Sequence, residues 1–141
     1  MKQELVSDWM THEVITITPE TTLREAHEIM KNKNIRRLPV VTHGEVVGIV
    51  TLGDIRGAEP SQASSLSVWE VNHLLAKLKV SEIMTRNPAT IHETESIGEA
   101  AKFMLENKFS GLPVVDDTEH LVGIITESDI FRLVVNEWHK E

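Results

Sequence analysis

The sequence repeats itself: residues 6–56 recur, in order and nearly in register, as residues 80–131. An internal repeat limits the fold more than any other feature, because both copies must adopt one design. Val6-Ser7 matches Val80-Ser81, Met10-Thr11 matches Met84-Thr85, and Thr16-Ile17 matches Thr90-Ile91. Glu25-Ala26 matches Glu99-Ala100, Met30 matches Met104, and Leu38-Pro39-Val40-Val41 matches Leu112-Pro113-Val114-Val115. The offset is 74 (84 − 10) up to an extra residue near Asp117-Thr118-Glu119, and 75 (123 − 48) from Gly48 and Gly123 onward. Thr51 then meets Thr126, and Asp54 meets Asp129. The matched types are too varied for low complexity to produce them, so the two copies are expected to fold together as one pseudo-symmetric unit.

Each copy changes period in the same sequence. Val14-Ile15-Thr16-Ile17 is short and β-branched, followed by Thr18-Pro19, and predicts a strand. Leu23, Ala26 and Met30 recur at helical spacing, as do Ile97, Ala100, Ala101 and Met104. Thr21 or Thr22 is placed to cap the first of these helices, and Glu95 or Ser96 stands just before the second. Two β-branched runs around His43-Gly44-Glu45 predict a hairpin, and Thr51-Leu52-Gly53-Asp54 leads into a second helix. The unit is strand, helix, strand, strand, helix, an α/β (α+β) design of two β-α-β-β-α repeats. Met30 and Met104 are core fillers by this reading. Gly48 and Gly123 mark strand positions where another backbone approaches closely.

The expected organisation is repeat one over residues 1–57, a crossover over 58–79, and repeat two over 80–141. Residues 57–65 contain Pro60 and three serines and suggest a flexible crossover. Ser67-Val68-Trp69-Glu70 has capping-box spacing, and Val68, Val71, Leu75 and Leu78 then form an apolar stripe. The last helix carries Phe131, Val134, Val135 and Trp138 on one face. Either face suits the core or another subunit, and the pattern does not choose.

Composition excludes several classes. A net charge of −8, from 22 acidic and 14 basic residues, argues against general nucleic-acid binding. No apolar run approaches the roughly 18 residues needed to span a bilayer. The start, Met-Lys-Gln-Glu-Leu, lacks a signal-peptide core, so a cytoplasmic location is expected. Cysteine is absent, which removes disulfides and thiolate metal sites. The seven histidines, at positions 12, 27, 43, 73, 92, 120 and 139, include no i,i+4 pair, so no metal is expected. There is no nucleophile-elbow pattern and no P-loop, and no enzymatic activity is expected. Lys31, Lys33, Arg36 and Arg37 make one local basic cluster, which suits the solvated C-terminal end of a helix. Thr51-x-x-Asp54 and Thr126-x-x-Asp129 fit helix-capping boxes.

The element order, with Met10-Thr11 and Met84-Thr85, Arg37-Leu38-Pro39-Val40-Val41 and Gly111-Leu112-Pro113-Val114-Val115, resembles a tandem pair of CBS domains, the Bateman module. The closing runs Gly48-Ile49-Val50-Thr51-Leu52-Gly53-Asp54 and Gly123-Ile124-Ile125-Thr126-Glu127-Ser128-Asp129 complete the resemblance over nearly the whole chain. The linker, with Pro60-Ser61 and Leu74-Leu75-Ala76-Lys77-Leu78, is further similar to bacterial acetoin-utilisation proteins, and a form lacking their extra C-terminal sensing domain is expected.

The resemblance implies a pseudo-two-fold pair with two clefts that take adenosine-containing ligands, here AMP, ADP or ATP, with no cofactor required. Carried over by position, Thr51 and Asp54 serve one cleft, and Thr126 and Asp129 the other. An Asp carboxylate accepts hydrogen bonds from ribose hydroxyls, and a Thr hydroxyl at a helix N-terminus suits phosphate. Val14 and Thr16, and Pro88 and Thr90, are the implied adenine-facing positions. Arg36 and Arg37 are the implied phosphate ligands of one cleft, where the other has Ser110 and Gly111. Arginine can bind phosphate through paired hydrogen bonds that Ser and Gly cannot supply, so the clefts should differ. The family also implies a homodimer and an effector protein that the sequence does not identify. A ligand-free dimerisation or scaffold module is the alternative function.

Overall fold

The computed structural model describes residues 4–59 and 66–140. In chain order its elements are α1 (Val6–Trp9), α2 (Leu23–Lys33), β1 (Arg37–Thr42), β2 (Glu45–Thr51), α3 (Leu52–Ala58) and α4 (Val68–Lys77). A 3-10 turn (Val80–Glu82) leads to β3 (Thr85–Arg86), β4 (Ile91–His92), α5 (Ile97–Asn107), β5 (Gly111–Val115), β6 (Leu121–Thr126) and α6 (Glu127–Trp138). They form two compact units, each a three-stranded sheet with helices: β1-β2-β3 in one and β4-β5-β6 in the other. This is the two-repeat α/β design that the duplication implied. Residues 60–65 of the expected crossover lie outside the described residues.

The units do not divide the chain where the repeat copies do. The first unit is Ile15–Pro88; the second joins the residues up to Val14 to those from Ala89 onward. Each unit therefore receives the opening segment of the other copy. In the first unit Met84-Thr85 lies beside β2, with Gly48 opposite Arg86 and Ile49 opposite Thr85. In the second, Thr11 and Ile124 exchange hydrogen bonds of 2.9 and 3.0 Å, and the Val6 amide donates to the Glu95 carbonyl at 2.8 Å. Val6 and Met10 are buried in the second unit's core with Ile97, Met104 and Leu112.

Gly48 and Gly123 make this arrangement possible. A Cβ on Gly123 would fall on the Met10 sulfur and within 2.9 Å of the Thr11 carbonyl oxygen. A Cβ on Gly48 would meet Met84 in the same way and lie 3.1 Å from the Thr85 oxygen. The close backbone approach expected at both glycines is present.

Local chemistry explains the element ends. Thr22, of the two candidates, caps α2: its hydroxyl accepts from the Glu25 amide at 3.1 Å and Glu25 Oε1 accepts from the Thr22 amide at 3.1 Å. Ser96 caps α5, and Ser67 with Glu70 forms the expected capping box on α4. β1 and β2 turn through His43 and Gly44, both at positive φ (52° and 81°), which matches the twist of a two-residue hairpin. The longer β5–β6 loop absorbs its extra residue around Asp116, whose Oδ1 accepts from the Thr118 amide and hydroxyl (2.9 and 2.7 Å) and the His120 amide (3.1 Å).

The first core gathers Leu23, Ala26 and Met30 of α2 against Leu38, Val40 and Val50 of the sheet, with Ile55 and Leu75. Burying each large side chain contributes about 1.5–3 kcal/mol. Met30 and Met104 are buried core residues, as their spacing implied. The apolar stripe of α4 divides: Leu75 is buried, Val71 and Leu78 pack on the core, and Val68 is exposed. Phe131, Val134, Val135 and Trp138 of α6 are all exposed, while Leu133 anchors that helix.

The expected strand over Val14-Ile15-Thr16-Ile17 is corrected to a single parallel bridge, Ile17 to Val40. The Ile17 amide donates to the Pro39 carbonyl at 3.1 Å, and the Val41 amide donates to the Ile17 carbonyl at 2.8 Å. The preceding rung would need an amide hydrogen from Pro39, which has none. In the second unit Pro113 stands at the matching place, and β4 is confined to Ile91–His92.

Candidate functional site

In the first unit the hairpin delivers the candidate residues to one end of the sheet. Thr51 ends β2 with extended φ/ψ (−112°, 162°), so the chain can turn directly into α3. Its hydroxyl accepts from the Asp54 amide at 3.1 Å, and Asp54 Oδ2 accepts from the Thr51 amide at 2.8 Å. Arg37 pairs with Thr51 across the hairpin, and the Arg36 carbonyl accepts from the Leu52 amide at 2.8 Å. Arg36, Arg37, Thr51 and Asp54 are thus brought together, with Arg36 exposed and Asp54 half-buried. The capping role fixes the carboxylate through Oδ2. Among the described residues Oδ1 has no hydrogen-bond partner, which leaves it open to a donor from outside.

The second unit repeats the scaffold with different bonding. Gly111 pairs with Thr126, and the Ser110 carbonyl accepts from the Glu127 amide at 3.1 Å. Asp129 Oδ2 accepts from both the amide and the hydroxyl of Thr126, at 2.8 and 3.2 Å. The hydroxyl that accepts in the first unit donates in the second. Arg132, one turn along α6, donates to Asp129 Oδ1 and, at 3.2 Å, to the Trp9 carbonyl. Its guanidinium lies 6.0 Å from the centre of the Trp9 ring. Asp129 is 4% exposed, and among the described residues it is the buried charged side chain.

The other candidates divide between the units: Thr16 and Pro88 belong to the first, Val14 and Thr90 to the second. Thr90 lines a shallow depression with Ile91, His92, Glu95, Glu99 and Phe103. Among the described residues no hydrogen bond ties Val14, Thr16, Pro88 or Thr90 to either Thr-x-x-Asp box. Arg132 and Trp9 are the site residues that sequence reasoning passed over. The signal was present in the repeat, where the offset of 75 sets Arg132 against Gly57.

Among the described residues no group of three His, Asp or Glu side chains is disposed to hold a metal ion. No described helix is long and apolar enough to cross a membrane. Both boxes offer a carboxylate acceptor at a helix N-terminus, and the first adds two arginines. Such a set can bind a polyhydroxylated or anionic ligand.

Comparison with solved structures gives the same architecture. The chain is 36% identical, with a TM-score of 0.79, to the CBS domain pair of protein MJ0100 in complex with 5′-methylthioadenosine and S-adenosyl-L-methionine. The match covers 96% of this chain and 99% of that one. It is 28% identical, with a TM-score of 0.79, to CBSX2 in complex with AMP, over 96% of this chain and 98% of that one. A Vibrio cholerae protein assigned to acetoin utilization (AcuB) matches at 29% identity and a TM-score of 0.79, over 97% and 94% of the two chains. Among curated relatives, an uncharacterized Methanocaldococcus jannaschii protein is 33% identical over 93% of this chain, which spans 47% of that protein's length. An L-aspartate semialdehyde sulfurtransferase of the same organism is 38% identical over 92% of this chain, which spans 23% of the enzyme. Matches to the CBS domain model extend over residues 6–61 and 80–136, and the chain belongs to the CBS domain family as a tandem pair.

Proposed function

We propose that this chain is a regulatory module that binds adenosine-containing ligands, with Thr51–Asp54 and Thr126–Asp129 as its two ribose seats. The observation that carries the reading is Asp54: its carboxylate is fixed through Oδ2 by the Thr51 amide, and among the described residues no donor reaches Oδ1. Charge-assisted hydrogen bonds from a ribose diol are the strong kind. Similar CBS pairs hold AMP, S-adenosyl-L-methionine or 5′-methylthioadenosine, which supports the ligand class.

The arginines refine the choice. Arg36 and Arg37 beside the first box favour AMP, ADP or ATP there and disfavour a cationic sulfonium. Ser110 and Gly111 at the second box carry no such charge. Calorimetric titration of AMP, ATP and S-adenosylmethionine into the wild type, Asp54→Ala and Arg36→Ala/Arg37→Ala tests the assignment. Loss of nucleotide binding in Asp54→Ala and a weakened ATP preference in the double variant are expected. Unchanged affinities would overturn it. A ligand changes the module's state only so far as it binds two conformations unequally.

A role in assembly is favoured by a separate observation, the exposed apolar face of α6: Phe131 is 66% and Trp138 80% exposed. A homodimer through this face, or docking of an effector protein on it, would cover that surface. Light scattering of Phe131→Glu/Trp138→Glu tests the dimer, which is expected to become a monomer.

A further inference from the structure

We infer that Arg132 closes the ribose seat of the second unit, so that the two seats bind unequally and the first fills first. This rests on the reading of the Thr-x-x-Asp boxes as ribose seats and adds a gate to one of them.

The argument is a count of acceptor directions. A carboxylate offers about four. Among the described residues Asp54 spends one, on the Thr51 amide. Asp129 spends three, on the Thr126 amide, the Thr126 hydroxyl and Arg132. A ribose diol brings two donors, so it fits Asp54 without displacing anything and does not fit Asp129. The Thr126 hydroxyl can rotate away at little cost. Arg132 cannot leave so easily, because the Trp9 carbonyl and the Trp9 ring also hold it. Its side chain is 60% exposed while that of Asp129 is 5% exposed, which makes Arg132 the solvent-side member of the pair.

The duplication supplies the control. Under the repeat offsets Arg132 corresponds to Gly57 and Trp9 to Ile83. The first unit therefore has no guanidinium one turn after its aspartate and no indole to hold one there; Arg36 and Arg37 approach the box from the strand instead. Gly57 lies in α3, and a Cβ built on it meets nothing within 4 Å among the described residues. An arginine can therefore be installed there without a clash at its Cβ.

The test exchanges the gate between the seats, using the full chain and AMP as probe, with binding read by calorimetry and folding by a cooperative melt. Asp54→Ala disables the first seat and reports on the second. Adding Arg132→Gly to that background should strengthen AMP binding about tenfold or more, the scale of losing one charged competitor for the carboxylate. Gly57→Arg/Ile83→Trp, which brings the guanidinium and the ring in together, should weaken the first seat. If AMP binds the wild type but Arg132→Gly leaves the second seat unchanged or weaker while the protein still melts cooperatively, the gate is refuted and the ribose-seat reading stands. Should Arg132→Gly fail to fold, Arg132→Ala, which keeps a good helix former in α6, decides: a second seat that binds AMP no more tightly than with arginine refutes the gate. Absence of AMP binding in the wild type and in every variant would overturn both.

Discussion

Met10 occupies the space that a side chain on Gly123 would need, and Met84 stands in the same relation to Gly48. The thioethers could swing aside for an added methyl group, but the backbone behind them could not. Thr11 is held to Ile124 by two hydrogen bonds, and its carbonyl oxygen lies within 2.9 Å of the Cβ position. Gly123→Ala should therefore destabilise the protein by about 1–3 kcal/mol, the usual cost of overpacking. Gly48→Ala should act in the same direction. Urea unfolding reads both; an unchanged midpoint for Gly123→Ala would contradict the packing described.

Truncating the other partner removes buried volume instead. Met10 is 6% exposed in the second core, so Met10→Ala should cost about 2–5 kcal/mol. Combined with Gly123→Ala it should cost less than the sum of the single changes, because the two residues share one space. Additive losses in a double-mutant cycle would show that they do not.

The two central helices end differently in chemistry though alike in shape. Asn34 closes α2 at φ 55°, and Lys108 closes α5 at φ 60°. Asparagine tolerates the left-handed region, whereas lysine there bears the full steric penalty. Lys108→Gly should stabilise the protein by about 0.5–1 kcal/mol, measured by chemical denaturation. A loss of stability would mean that the lysine side chain does something the helix end needs.

Hydrogen bonds, first from the Thr118 hydroxyl and then from the His120 amide, hold the Asp116 carboxyl below the ordinary aspartate value of 3.8. A lowered folded-state pKa favours the fold above the unfolded value, and that contribution fades as pH falls through the folded pKa. The β5–β6 loop should accordingly loosen only in acid. Carboxyl NMR should show Asp116 titrating below 3.8 and moving up toward it in Thr118→Ala. A titration at the ordinary value in the wild type would refute the turn.

Much of this was legible in the chain. Ser67 and Glu70 announce their capping box by spacing alone, and His43-Gly44 marks the hairpin, since both signals are local. The strand expected at Val14–Ile17 was not, because its length depends on a proline in the neighbouring strand rather than on its own β-branched residues. The exchange of opening segments was hidden by the repeat itself: Met10-Thr11 and Met84-Thr85 are equivalent, so either pair suits either glycine. The Thr-x-x-Asp boxes were visible as caps, but which carboxylate remains open was not. That depends on Arg132 reaching Trp9 from a distant part of the chain.

The interleaving of opening segments has a kinetic consequence. All the residues of the first unit lie between Ile15 and Pro88, so it can close once that stretch has left the ribosome. Val6 and Met10 emerge earlier yet have no core to enter until Ile97, Met104 and Leu112 follow. Until those residues are made, the segment with Val6 and Met10 stays uncovered while the first unit can already close. A product cut short in that interval would hold a folded half attached to a segment primed to seize the wrong partner.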